Sequence, residues 1–83
     1  MRLVLSKRAD KDLLSMEQKD RQRVQEAIDR LLLGIGTANV VKIKTREEQW
    51  RLRVGDWRIL FEIDNAEGLI LVHRIMHRRE AYR

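Results

Sequence analysis

The feature that most constrains this chain is a change of hydrophobic period partway along it. Between Glu17 and Leu33, Val24, Ala27, Ile28, Leu31 and Leu32 recur at helical spacing and make one apolar stripe. Beyond Gly34 to Asn39 the pattern alternates instead, as in Trp50-Arg51-Leu52-Arg53-Val54 and Trp57-Arg58-Ile59-Leu60-Phe61-Glu62-Ile63. A chain that is helical first and strand-forming later must pack helices on a sheet.

The rest of the reading fits around that switch. Leu3, Val4 and Leu5 form a short first strand. Ser6 caps a helix from Lys7 to Leu14, whose inner side carries Ala9, Leu13 and Leu14. Ser15-Met16-Glu17-Gln18 has the capping-box pattern and starts the second helix, which Gly34 ends by supplying a left-handed residue. Val41-Lys42-Ile43-Lys44 is a further alternating run. Gly55-Asp56 between two alternating runs predicts a tight hairpin. Asp64 to Gly68 is the next turn, and Leu69 to Met76 is the last strand, apolar enough to be central. The expected fold is α+β in the order β-α-α-β-β-β, with a helical hairpin on one face of an antiparallel sheet. With 83 residues, the chain forms a single domain, residues 1–83.

Composition removes several function classes. There is no cysteine, so no disulfide and no thiolate metal site, and two histidines argue against a metal-supported fold. No apolar run is long enough to span a membrane, and the chain reads as soluble and cytoplasmic. Gly34-Ile35-Gly36 follows a helix and lacks the further glycine spacing of a dinucleotide fingerprint. Charged residues make up 37% of the chain and the net charge is +5. That balance suits a solvated surface or a polyanion partner, and the choice depends on where the charges sit.

Strand parity places them. With Gly55-Asp56 as the turn, Arg53 faces Arg58 and Arg51 faces Leu60. If Ile63 and Leu69 flank the next turn, Arg58 faces Arg74 and Leu60 faces Val72. One face then carries Trp50, Leu52, Val54, Trp57, Ile59, Phe61, Ile63, Leu69, Leu71 and Ile75, with His73 at its rim. The other collects Arg51, Arg53, Arg58, Arg74 and Arg78, together with Leu60, Ile70, Val72 and Met76, and Glu62 as its only acid. Like charges opposite one another across strands are destabilising, so this convergence points to an anion site suited to phosphate. Arg58, between two other arginines, is the best phosphate ligand on this reading. Lys42, Lys44, Arg79 and His77 are further candidates for phosphate or RNA contact, and Tyr82 for base stacking or proton transfer.

The string Trp50-Arg51-Leu52-Arg53-Val54-Gly55-Asp56-Trp57-Arg58-Ile59, followed by the ending His77-Arg78-Arg79-Glu80-Ala81-Tyr82, resembles the RelE/ParE superfamily of type II toxins, closest to its short RelE-like branch. The resemblance runs the whole length of the chain. It implies a ribosome-dependent endoribonuclease that cuts messenger RNA by attack of a ribose 2′-OH on the adjacent phosphate, without metal or cofactor. It also implies an antitoxin partner, alongside the ribosome and mRNA. Its catalytic positions fall on Arg51, Arg53, Arg58, Arg78 and Tyr82. RelE proper tends to carry lysine where Arg51 and Arg53 stand. Arginine stays protonated and is a poor general base, so Tyr82, His77, Lys42, Lys44 or the ribosome is left to supply one. The alternatives are a ParE-like gyrase inhibitor and a non-catalytic relic that still binds an antitoxin.

Overall fold

The computed structural model describes residues 2–34, 40–43 and 49–81. In chain order these form β1 (Arg2–Leu5), α1 (Lys7–Leu14), α2 (Gln18–Leu32), β2 (Val40–Lys42), β3 (Gln49–Val54), β4 (Trp57–Asp64), β5 (Leu69–His77) and a single helical turn, α3 (Arg78–Ala81). The basic tail, left without structure in the sequence reading, thus supplies α3.

Local chemistry sets the helix ends. The Ser6 hydroxyl accepts the Ala9 N–H at 3.0 Å and caps α1. The capping box expected at Ser15 does not form. Ser15 ends α1 in helical geometry, and its hydroxyl donates back to the Asp12 carbonyl at 2.8 Å. Glu17 takes the N-cap position of α2 without a side-chain bond. At the other end Gly34 has φ +75, the left-handed value expected of it. On α1, Ala9 and Leu13 are buried but Leu14 is 65% exposed. Adjacent helical residues point about 100° apart, so Leu13 and Leu14 cannot both face the sheet. Leu32, expected on the apolar stripe of α2, likewise lies exposed at its edge.

The five strands form one sheet in the order β1-β5-β4-β3-β2. It is antiparallel from β2 to β5, and β1 is added parallel to β5, which therefore lies inside the sheet. Parallel pairing of β1 needs a crossover, and α1, α2 and the strands after them supply it. Ala9, Leu13, Met16, Val24 and Ile28 from the helical half pack with Leu52, Ile59, Phe61, Ile70, Val72 and Ile75 from the sheet. Each of these side chains larger than Ala9 contributes roughly 1.5–3 kcal/mol when fully buried. The two tryptophans, Trp50 and Trp57, pack partly buried against this cluster.

The β3–β4 register is the expected one, with Arg53 opposite Arg58 and Arg51 opposite Leu60. The β4–β5 register differs. Asp64 and Leu69 flank the turn, and the ladder shifts between Leu60 and Phe61. Phe61 pairs with Val72 and Leu60 with Arg74, so His73 is the extra residue of a β-bulge. The consequence is a change of face. Ile70 and Val72 lie in the core, not Leu69 and Leu71, and Arg58 faces Met76, not Arg74. The sequence Leu69-Ile70-Leu71-Val72 is apolar throughout, so it carries no parity of its own. The bulge then restores the expected phase at Ile75.

Candidate phosphate-binding site

The helices cover one face of the sheet. On the opposite, open face the register aligns Met76, Arg58 and Arg53 in one row, and Arg74, Leu60, Arg51 and Val41 in the next. Val4, Leu71, Glu62 and Gln49 form a third row. The face is therefore basic toward the Gly55-Asp56 turn and acidic or apolar away from it.

The turn itself gathers further arginines. Gly55 has φ +56, a conformation that glycine adopts without steric cost. Arg58 Nη1 donates to the Gly55 carbonyl at 2.9 Å and to the Trp57 carbonyl at 3.0 Å. The Arg78 backbone N–H donates to the Asp56 carbonyl at 2.6 Å, and its Nη1 lies 3.8 Å from Asp56 Oδ1. Arg23, projecting from α2, lays its guanidinium against the same turn: a Cβ added to Gly55 would stand 2.9 Å from Nη2. Arg23, Arg58 and Arg78 thus meet at a two-residue turn that carries one carboxylate, with Arg53 beside it. Arg51, Arg53, Arg23 and Arg79 make no ion pair among the described residues. Four solvent-accessible guanidinium groups therefore keep their charge available to an anion.

The individual expectations separate. Arg51, Arg53 and Arg78 are brought to one end of the open face. Arg58 belongs to the same cluster but is only 5% exposed, and its Nη1 is committed to backbone carbonyls. That commitment explains how it can stand opposite Arg53: its charge is drawn into the turn and away from its neighbour. Arg74 is drawn out of the patch. Its Nε donates to Asp12 Oδ2 at 2.9 Å, and the same oxygen accepts the Ile75 N–H at 2.9 Å. Arg74 therefore ties α1 to β5, which explains why it does not join the free cations. Lys42 pairs with Trp50 on the helix side of the sheet, with its ammonium 5.9 Å from the ring centroid. His77 sits edge-on to Trp57 with ring centroids 5.3 Å apart, and its Nδ1 accepts the Arg79 N–H at 3.3 Å. Lys44 and Tyr82 lie outside the described residues.

Two features escaped the sequence reading. Arg23 is one of several arginines on the polar face of α2, and nothing local marks it as the one that meets the hairpin. His73, expected at the core rim, stands on the open side with its Nε2 2.9 Å from Glu62 Oε2. The unbroken apolar run before it hid the bulge that turns it outward.

Other features bear less on this chemistry. A cleft of about 600 Å³ between the end of α2 and the sheet is lined by residues including Leu31, Leu33, Trp50, Phe61 and Ile63, and none of its lining side chains is ionisable. No cluster of metal-ligating side chains is found among the described residues, and no described helix is long and apolar enough to cross a membrane.

Comparison with known proteins agrees with this architecture. A chain of the RelB–RelE antitoxin–toxin complex of Methanococcus jannaschii superposes with a TM-score of 0.77 at 26% identity, covering 95% of this chain and 94% of that one. The RelBE2 toxin–antitoxin complex of Mycobacterium tuberculosis gives 0.78 at 20% identity, covering 92% and 95%. The isolated E. coli RelE toxin gives 0.77 at 15% identity, covering 96% and 93%. A search of curated sequences finds no relative of this chain. A family model described as the ParE toxin of the type II toxin–antitoxin system parDE matches residues 3–82. That match spans nearly the whole chain, and with the RelE-like fold it shows that this protein belongs to the RelE/ParE superfamily of type II toxins.

Proposed function

We propose that this toxin is an endoribonuclease that cuts messenger RNA on the ribosome in the cytoplasm, by attack of a ribose 2′-OH on the neighbouring phosphate. The observation that carries this reading is the gathering of arginines at one end of the open face with one carboxylate among them. Arg51, Arg53 and Arg78 hold the scissile phosphate and neutralise the charge that builds on its oxygens. Arg79 extends the cationic surface along the RNA. Arg58 fixes the turn from beneath, so that Arg53 and Arg78 are presented at a constant separation. Tyr82, four residues after Arg78 in the sequence, is the candidate for contact with the phosphate or an adjoining base. The reaction as written needs no cofactor. An antitoxin is the expected partner, as in the RelB–RelE complex of M. jannaschii, and an acidic segment covering the arginines would both speed association and block the site.

Translating ribosomes programmed with a defined messenger test the reading. Folded, antitoxin-free protein should yield cut RNA, and Arg78→Ala or Arg58→Ala should lower the yield sharply. Intact messenger under those conditions overturns it.

The chain matches a family model described as a ParE toxin, and the ParE-like alternative, inhibition of DNA gyrase, is the second reading. ParE-type chains usually lack the arginine–tyrosine pair that Arg78 and Tyr82 form in sequence, which places this reading second. A gyrase supercoiling assay separates the two, since an RNA-cutting toxin leaves supercoiling untouched. Growth arrest on expression without antitoxin excludes an inert relic.

A further inference from the structure

Among the described residues, none of the bases expected from the sequence stands at the arginines. Arginine does not serve, and of the other candidates Lys42 lies on the helix side and His77 is turned to Trp57. The bulge in β5 supplies a different group. A regular ladder would carry β5 past Leu60 and Phe61 without interruption. The bulge instead inserts one residue, and that residue is a histidine turned to the open face. Bulges re-aim side chains and recur beside active sites. This one is held from the side by α1 and its cap. Ser6 Oγ donates to the His73 carbonyl at 2.8 Å, and Asp12 accepts the Ile75 N–H.

His73 does not stand alone. Its Nε2 lies 2.9 Å from Glu62 Oε2, and the two side chains are 35% and 32% exposed. A pair this exposed adds little to stability. A carboxylate bonded to one imidazole nitrogen does, however, set the tautomer: Nε2 carries the proton and donates it to Glu62, and Nδ1 keeps its lone pair. Glu62 on β4 is the charged group in contact with the ring, while Arg74, next to His73 on β5, is engaged by Asp12 of α1, which Arg8 also approaches. Leu60 pairs with Arg74, next to the bulged His73, on one side and with Arg51 on the other. An arginine side chain can arch over a leucine, so a phosphate held by Arg51 shares the open face with the imidazole across Leu60.

We infer that His73 is the general base of the proposed RNA cleavage and that Glu62 is the residue that positions it; this rests on the ribonuclease reading above. The 2′-OH gives its proton to His73 Nδ1 while its oxygen bonds to phosphorus. The bond from phosphorus to the 5′-oxygen breaks, leaving a 2′,3′-cyclic phosphate on one fragment. The departing 5′-oxygen takes a proton from water and becomes a hydroxyl. Glu62 holds the ring in place through the Nε2 bond.

The experiment is single-turnover cleavage of messenger on programmed ribosomes across a pH series, with wild type, His73→Ala and Glu62→Gln. Circular dichroism and ribosome binding are followed on the same samples. His73→Ala should cut about 100-fold more slowly or worse, lose the acid limb of the profile, bind ribosomes as wild type does, and regain activity with added imidazole. Glu62→Gln, which preserves the size of the side chain, should slow cleavage about 10-fold and shift that limb, a readout that survives if His73→Ala folds poorly. Cleavage by His73→Ala at a wild-type rate and pH dependence overturns the assignment and leaves the ribonuclease reading standing. So does a Glu62→Gln profile identical to that of wild type. Wild-type protein that leaves the messenger intact removes both.

Discussion

The two faces of the sheet are built from alternate residues of the same strands, yet they solve opposite problems. Toward the helices, Leu52, Ile59, Phe61, Ile70, Val72 and Ile75 are almost wholly excluded from water, and their side chains pack into one apolar cluster. On the open side, Arg53 and Arg58 stand opposite one another, and half-buried Leu60 and Leu71 lie among charged neighbours. The covered face is optimised for burial. The open face accepts like-charge proximity that costs roughly 0.2–1 kcal/mol per pair, a cost that suits a surface completed by an anion. Stability and activity should therefore be separable by face.

Substitutions can break or sharpen that separation. Phe61→Ala should have the largest effect, about 3–5 kcal/mol lost in denaturant unfolding, because it opens a cavity in the covered face. The double change Arg51→Ala with Arg53→Ala should lower cleavage about 100-fold, or about 2.7 kcal/mol of transition-state stabilisation, with Tm unchanged or raised. If that variant unfolds instead, the open face is structural and the contrast fails. Asp12→Ala strands the Arg74 guanidinium and the Ile75 N–H together, and should cost about 2 kcal/mol in the same unfolding assay. Gly55→Ala places a side chain at φ +56 and against Arg23, and should cost about 1–2 kcal/mol while weakening RNA binding. Lys42→Ala should change stability by less than about 1 kcal/mol and leave cleavage intact, since that side chain lies on the helix side of the sheet.

The arginine cluster also illustrates how one residue type divides its work. Arg74 is held by Asp12 across a sequence separation of 62 residues, Arg58 is drawn into the turn, and Arg51, Arg53 and Arg78 remain at the surface. In the strand sequence all five look alike. Salt dependence of RNA binding distinguishes them: losing Arg53 should flatten the slope by about one unit, whereas losing Arg74 should leave it unchanged.

What the sequence alone determined is whatever rests on neighbours close in the chain. Ser6 capping α1, Gly34 ending α2, the Gly55-Asp56 hairpin with its β3–β4 register, and the shared face of Arg51, Arg53 and Arg58 all follow from local spacing. Tertiary structure decided the rest. Four consecutive apolar residues at the start of β5 leave its phase undefined, so packing against β1 and the helices chose Ile70 and Val72 for the core and placed the bulge at His73. The groups that Arg74 and Arg23 meet, Asp12 and the Gly55 turn, were likewise set by distant segments. Alternation tells which side chains share a face, but a partner across the fold is chosen only when burial and hydrogen bonding are satisfied for the whole chain at once.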